Sequence, residues 1–461
     1  MSDVRQALGE LGADAWLVGG TVRDRLLGRA STDYDLAVRG DAQGVARRLG
    51  AAARGHVFAL SEMFGAWRVV SRDRTTPWQV DVSPLNGGTI EEDLGRRDFT
   101  INALAEPLGG GELIDPFGGR EDLRAGRLVV VRPEAFAEDP LRALRLARLA
   151  CELSLAVQAE TAAAARAQAP RLSDVAPERI FAELKRIIAA ERAPAGLDLI
   201  DELGITPVVL PELAALRGIE QSRYHHLDVY QHTRAVLAET IELERDPEPV
   251  LGAHAEAVTR LLAQPLANEL TRGQALRLGA LFHDIAKPQT RQVTPEGRVT
   301  FLGHDELGAR IASDALTRLR ASERLSAHVA ALARDHLRLG FLVHEMPISR
   351  RSTYRYLRAT SPVQVDVTVL SVADRLATRG SGAERAIARH LELAGRLLGD
   401  ALAWAAEPPR PPVRGDEIAR AIGIRPGPDI GRVLAELEEA AFAGEIRTRE
   451  EAIERARQLL G

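Results

Sequence analysis

"LVGGTVRDRLLGRASTDYDLAV", residues 17–38, carries the reading of the fold. An apolar run ends at Gly19-Gly20, a charged helix-like piece follows, and a second apolar run begins inside "DYDLAV". Side chains alternate across a strand, so Asp33 and Asp35 share one face. Two carboxylates held there repel each other unless something positive lies between them. Glycines at a strand-to-helix turn let backbone N–H groups approach a ligand, and the N-terminus of the next helix favours an anion. Gly19, Gly20 and Arg23 beside a co-facial Asp33 and Asp35 therefore suit a divalent cation bridging to a triphosphate. Taken singly, each piece has a plainer alternative: an ordinary Gly-Gly turn, and a solvated edge strand.

The rest of the chain sets the frame. Its 461 residues exceed one ordinary core, and roughly three or four domains are expected. With 45% hydrophobic and 27% charged residues it has the make-up of a globular, water-soluble protein. A lone cysteine, Cys151, excludes an internal disulfide framework and fits a reducing cytosol. No signal core and no membrane-spanning run occur, so a cytoplasmic protein with no membrane partner is expected. The net charge of −5 advertises no nucleic-acid footprint, although local basic stripes count for more than totals. Lys185 and Lys287 are the only lysines among many arginines.

Short strand-like runs at "AWLVGG", "YDLAV", "WRVVS", "WQVDV" and "RLVVV" alternate with helical pieces such as 41–50 and 98–105. From about residue 136 the pattern turns helical, and no further strand is expected. A junction near 205–215 precedes a histidine-bearing helical block, and the proline-rich "EPPRPPVRG" precedes a small helical tail. The reading is an α+β head at 1–135 and a helical neck at 136–215. A histidine domain at 216–380 and a helical C-terminal region at 381–461 follow.

Further charged groups cluster in the head. Asp81 in "WQVDVSPL" lies on another expected strand, and a pair of metals about 4 Å apart needs several carboxylates. "RRDFTINALA", residues 96–105, offers Arg96 and Arg97 for phosphates and Asp98 and Asn102 for sugar or base contacts.

Together these stretches resemble the class II tRNA nucleotidyltransferase and bacterial poly(A) polymerase family, whose head is polymerase-β-like. "GGTVRDRLLGR…DYDLA" is similar to its first motif and "RRDFTINALA" to its second. "DPFGG" (115–119), "EDPLRALR" (138–145) and "ERIFAELKRI" (178–187) resemble the third, fourth and fifth. The resemblance implies that Asp33 and Asp35 bind Mg²⁺, with Asp81 as third carboxylate. CTP and ATP would be the nucleotides and tRNA the acceptor. It also implies that Asp139 and Arg142 read the incoming base. On one helix, residues three apart are neighbours, and Arg145 and Arg148 would continue their stripe. A carboxylate only accepts hydrogen bonds and a guanidinium only donates them, a combination that suits the edge of cytosine or adenine and rejects uracil and guanine. Glu178, Arg179 and Glu183 are expected to brace this helix.

A second constellation, His232, His283, Asp284, His304, His336 and Asp374, joins imidazole and carboxylate donors in a helical region. Such mixed ligands suit transition metals better than Mg²⁺. The adjacent His283-Asp284 step resembles the HD superfamily of metal-dependent phosphohydrolases. Mn²⁺, Ni²⁺ or Co²⁺ is then the expected ion, with His304 and His336 matching the extra ligands of two-metal versions. Lys287 could pair with a phosphate.

One departure bears on the product. Family members that add all of C, C and A carry a flexible loop before the Arg-Arg-Asp motif. Here only "NGGTIEEDLG", residues 86–95, fills that place, and Asn86 stands where the family often has arginine. The shortening resembles CC-adding enzymes, with full CCA addition left open. A poly(A) polymerase, or an HD phosphohydrolase with a non-catalytic RNA-binding head, are the alternatives.

Overall fold

The computed structural model describes residues 2–460 except 10, 13, 63, 74, 76, 222–226, 379–382 and 426. His225 and His226, to which no role is assigned, lie outside the described residues. The chain forms two compact units, Met1–Val209 and Leu210–Gly461.

In the first unit six strands, β1 (Ala15–Val18), β2 (Asp33–Val38), β3 (His56–Ser61), β4 (Ala66–Val70), β5 (Gln79–Pro84) and β6 (Ala105–Pro107), form one mixed sheet. Its order is β3-β4-β5-β2-β1-β6, with β2 and β5 parallel and the other neighbours antiparallel. The alternation read from "DYDLAV" decides its orientation. Tyr34, Leu36 and Val38 are buried with Leu17, Val69, Val80 and Val82 in a core shared with the helices Ser2–Gly9 and Ala42–Ala52. Asp33 and Asp35 are thereby left on the opposite face.

Four local expectations are corrected. The segment 98–105 is no helix: a 3₁₀ turn at Thr100–Asn102 leads into β6, and Phe99 bridges Val130. "RLVVV" keeps only Arg127–Leu128 as strand, paired with Ala156–Val157. β3 is an additional edge strand. After residue 136, short two-stranded pairs recur at Pro265–Ala267 with Leu270–Thr271 and at Gln292–Val293 with Val299–Thr300. All are short pieces in which local pairing outweighs periodicity.

The second unit is helical. Val229–Arg245, Arg272–Phe282, Glu323–Asp335 and Gln364–Ala377 pack around one another. The tail helix Pro428–Ala443 packs on Arg350–Thr360, where Arg351 reaches Glu436, Glu439 and Glu445 at 3.1, 3.3 and 2.7 Å. Among the described residues no helix is long and apolar enough to cross a membrane.

Candidate functional sites

The head site starts at the Gly19 turn. Gly19 has φ +67°, and a Cβ there would stand 2.7 Å from Arg97 Nη1 and 3.5 Å from Asp35 Oδ2. Only glycine lets the chain pass this close to both charges. The Thr21 hydroxyl accepts from Asp35 N at 2.9 Å and ties the following helix, Gly20–Leu26, to the carboxylate strand. Asp35 lies opposite Asp81 in the parallel register of β2 and β5. One edge of Asp35 is exposed, yet its carboxyl is packed closely enough that burial raises it above its ordinary value. The pull of Arg97 and Arg23 is outweighed, and repulsion from Asp81 and Asp33 acts in the same upward direction. Asp81 already has a partner: both its oxygens accept from Arg68.

A cleft of about 590 Å³ opens over Asp33 and Asp35, with Gly19, Gly20 and Arg23 at its wall. Arg23 donates to Asn102 Oδ1 at 2.7 Å and Arg97 to Asp93 at 3.0 Å, while Arg96 holds Asn86 Oδ1 at 2.9 Å. Asp98 is buried, accepting from Phe99 N, Asn102 Nδ2 and Arg145 Nη1 at 2.8, 3.0 and 3.1 Å. Burial opposes its charge, but Arg145 and these hydrogen bonds hold it below the usual carboxylate range.

The expected common helix for Asp139 and Arg142 is corrected. Pro140 follows Asp139, whose backbone is extended (φ −141°, ψ 97°), and the helix begins at Arg142. The two side chains take different partners. Asp139 Oδ2 accepts from Arg179 at 2.8 Å, while Arg142 donates to the backbone oxygens of Arg96 and Arg97 at 2.8 and 3.4 Å. Arg142, Arg145 and Arg148 do line the cleft. Arg145 and Arg148, however, are both anchored on buried Glu183, and Arg148 also reaches Glu152 at 2.7 Å. Segment 86–95 is a bonded elbow. Asn86 N donates to Asp93 at 2.9 Å and Gly88 N to Glu92 at 2.6 Å, and Thr89 caps the one-turn helix Ile90–Leu94.

The second unit brings all six His and Asp positions into one buried centre. Asp284 is its hub: His283 Nε2 lies 3.1 Å from Oδ2, and His304 and His336 Nε2 lie 3.4 and 3.7 Å from Oδ1. His232 Nε2 stands 3.0 Å from Asp374 and 3.7 Å from Asp284. His283, His304 and His336 each turn Nδ1 to a backbone oxygen three residues earlier, of Ala280, Phe301 and Ala333, at 2.8, 2.6 and 2.7 Å. In the neutral ring, the form that binds an ion, an Nδ1–H donated there leaves Nε2 as a lone pair. All three Nε2 atoms are buried without a hydrogen-bond partner. Donor atoms of His232, His283 and Asp284, and separately of Asp284, His304 and His336, lie within 4.8 Å of one another. Orphaned lone pairs gathered round a shared carboxylate fit a pair of bound ions. Burial opposes the charge on Asp284, but His283 and Lys287 hold it well below the carboxylate range. Burial drives His336 down to about 4. A cavity of about 680 Å³ opens beside the centre. Lys287 Nζ lies 2.6 Å from Asp284 and 2.7 Å from Gln221 Oε1.

Sequence reading missed Arg68, and it expected Arg179 as a brace without naming Asp139 as its partner. Arg68 sits one strand beyond Asp81 in "WRVVS", a run read only as a strand, and only the β4–β5 register reveals its role.

A mixed sheet presenting co-facial carboxylates beside an arginine-lined cleft, in one chain with a buried His/Asp centre, defines a nucleotidyltransferase head combined with an HD domain. Residues 15–129 match the poly A polymerase head domain, 154–216 the probable RNA and SrmB-binding site of polymerase A, and 229–379 the HD domain. A CC-adding tRNA nucleotidyltransferase of Thermus thermophilus is 38% identical over 95% of this chain and 92% of its own length. An A-adding tRNA nucleotidyltransferase of Deinococcus radiodurans is 35% identical, with 95% and 94% covered. The chain belongs to the tRNA nucleotidyltransferase family. A solved CCA-adding enzyme in complex with ATP shares the fold, with a TM-score of 0.65 at 20% identity over 99% of this chain and 95% of that one. Thermotoga maritima CCA-adding enzyme bound to tRNA gives 0.63 at 20% identity, covering 99% and 95%.

Proposed function

We propose that the protein extends the 3′ end of tRNA without a nucleic-acid template, transferring CMP from CTP and stopping at CC. The observation that carries the transfer reading is the meeting of co-facial Asp33 and Asp35 with the Gly19 turn and the arginines of one cleft. Mg²⁺ fits this donor set, because it is typically held by one or two carboxylates together with substrate phosphates. Asp33 and Asp35 would hold it, and when bound it lowers the pKa of the RNA 3′-hydroxyl and neutralises charge on the leaving pyrophosphate. Asp81, fixed by Arg68, stands next to Asp35 as third carboxylate. Gly20 offers a backbone N–H and Arg23 a cation to the triphosphate, while Gly19, its own N–H given to Leu104 O, lets the chain pass close enough, with Arg96 and Arg97 at the flank. Asp139, set by Arg179, and Arg142, set on the Arg96–Arg97 turn, read the base, while Asp98, Asn102, Arg145 and Arg148 line the same cleft as Arg142 and complete the nucleotide contacts.

The stop at CC rests on segment 86–95, whose internal hydrogen bonds leave no spare length to act as a lever. A second reading, addition of the terminal A alone, has the Deinococcus relative in its favour. Acceptors ending before C, at C and at CC separate the two.

The HD centre forms an accessory phosphohydrolase site. His232, His283, Asp284 and Asp374 would hold one transition-metal ion such as Mn²⁺, Ni²⁺ or Co²⁺, and Asp284, His304 and His336 a second. Lys287 neutralises Asp284 and offers a cation to a phosphate ester.

Asp33→Ala and Asp35→Ala test the transfer reading. Each is expected to abolish CMP incorporation while tRNA binding persists. Retention of more than about a tenth of the wild-type rate by both contradicts it, since loss of such a ligand costs several kcal/mol of barrier.

A further inference from the structure

Nucleotidyl transfer places the attacking and leaving oxygens in line, on opposite sides of the reacting phosphorus. Gly19 follows β1 directly, Arg23 lies on the next helix, Arg97 packs against Gly19 and Arg142 bonds the Arg97 backbone, so the groups suited to the nucleotide gather at the β1 flank of β2. The attacking RNA end must therefore approach from the other flank, where β5, β4 and β3 follow in order.

The register lays a continuous row across that flank. Asp35 is opposite Asp81, Asp81 opposite Arg68, and Arg68 opposite Phe58. Directly opposed residues share a face. Val57, the neighbour of Phe58, packs into the core on the far side, so the Phe58 ring belongs to the carboxylate face. It is 46% exposed. Three strand spacings put it about 14 Å from Asp35, a reach of a few nucleotides for a strand rising roughly 3.4 Å per stacked base. At the open end of the same hairpin, Arg54 just before β3 and Arg72 just after β4 are exposed beside Asp73, while the exposed Glu62 lies at the opposite, turn end. An aromatic face in line with a catalytic row, with cations beside it, is what unpaired nucleic acid stacks and tracks on.

We propose that the unpaired 3′ end of the RNA acceptor runs along this row, with a base stacked on Phe58 and its backbone drawn toward Arg54 and Arg72. The inference rests on the transfer reading above.

The test uses the full protein with tRNA lacking its terminal nucleotides. Phe58→Ala and Phe58→Leu are each expected to raise KM for tRNA about tenfold, with KM for CTP unmoved, while Phe58→Trp restores the wild-type value. A Leu variant equal to wild type shows plain apolar surface and overturns the inference, as does an Ala variant with unchanged KM. Fluorescence anisotropy with labelled tRNA, in the absence of nucleotide, gives the same comparison as dissociation constants. A wild-type protein that binds tRNA through Phe58 but transfers nothing defeats the transfer reading alone. A Phe58→Ala variant that changes only the oligomeric state in sedimentation, with tRNA affinity intact, identifies a contact between copies and overturns the inference.

Discussion

Arg68 and Asp81 face each other across β4 and β5 in a two-pronged ion pair, Nε to Oδ1 at 2.7 Å and Nη2 to Oδ2 at 2.8 Å. Asp81 in turn stands opposite Asp35, so the guanidinium fixes the outer edge of the carboxylate cluster. Fork-to-fork pairing of this kind sets direction as well as charge. Arg68→Ala and Asp81→Ala are each expected to lower CMP transfer at least tenfold. The double variant should be no worse than the more impaired single one, a coupling of about 1.4–3 kcal/mol in a double-mutant cycle on kcat/KM. Strictly additive losses would separate the two residues.

Base choice gives a second prediction. Asp139 is held by Arg179 from a different helix, Pro177–Ala189, and Arg142 is held by backbone oxygens of the Arg96-Arg97 turn. Asp139→Ala should admit UTP or GTP, because the acceptor that opposes their carbonyls is gone. Arg179→Ala should do so more weakly, by releasing Asp139. Arg142→Ala should mainly weaken CTP use, at a cost of about 1.5–3 kcal/mol. Misincorporation ratios from single-nucleotide assays check all three.

Arg148 and Glu183 are both buried and tied to each other. Removing Glu183 leaves Arg148 with Glu152 and Arg145 with Asp98, so the loss stays below the roughly 3–5 kcal/mol of a buried charge left wholly unpaired. Glu183→Ala is therefore expected to lose about 1.5–3 kcal/mol of stability in urea unfolding. At temperatures where it stays folded, its discrimination between CTP and UTP should be retained. Unchanged stability with altered base choice would make Glu183 part of the reading apparatus.

The HD unit should be acid-sensitive when stripped of metal. Burial holds His336, and likewise His390, near 4 in the folded state, against about 6.5 for an exposed ring. Between those values the unfolded chain binds protons that the folded chain refuses, so stability falls as pH drops from about 6.5 toward 4. The slope approaches roughly 1.4 kcal/mol per pH unit for each group. His283 opposes this: despite burial, Asp284 raises it, so its contribution is present at low pH and fades as pH rises through its folded value. Thermal melts of chelator-treated protein across pH 4–7 should show the net fall, and His390→Gln should flatten it. A flat profile in the unaltered protein contradicts the burial argument.

Short-range pattern made much of this molecule legible. The alternation in "DYDLAV" gives the face of Asp33 and Asp35, and the adjacent His283-Asp284 step marks the buried centre. What escaped was settled at long range or by a single residue. Arg68 became visible only through β4–β5 pairing, and Pro140 broke the helix that periodicity carried back to Asp139. The turn at 98–105 looked helical because its apolar spacing reports burial, whereas its backbone follows the bridge from Phe99 to Val130.

The account is tested most directly by incubating the protein with Mg²⁺, CTP and ATP and with tRNA ending before C, at C and at CC, and resolving products to one nucleotide. The first two acceptors are expected to grow to CC and halt. The CC-ended one should gain A only slowly until a longer family-type loop replaces 86–95. Rapid single-A addition to the CC-ended acceptor by the unaltered protein would contradict the stop at CC, and no CMP added to any acceptor would contradict the transfer itself.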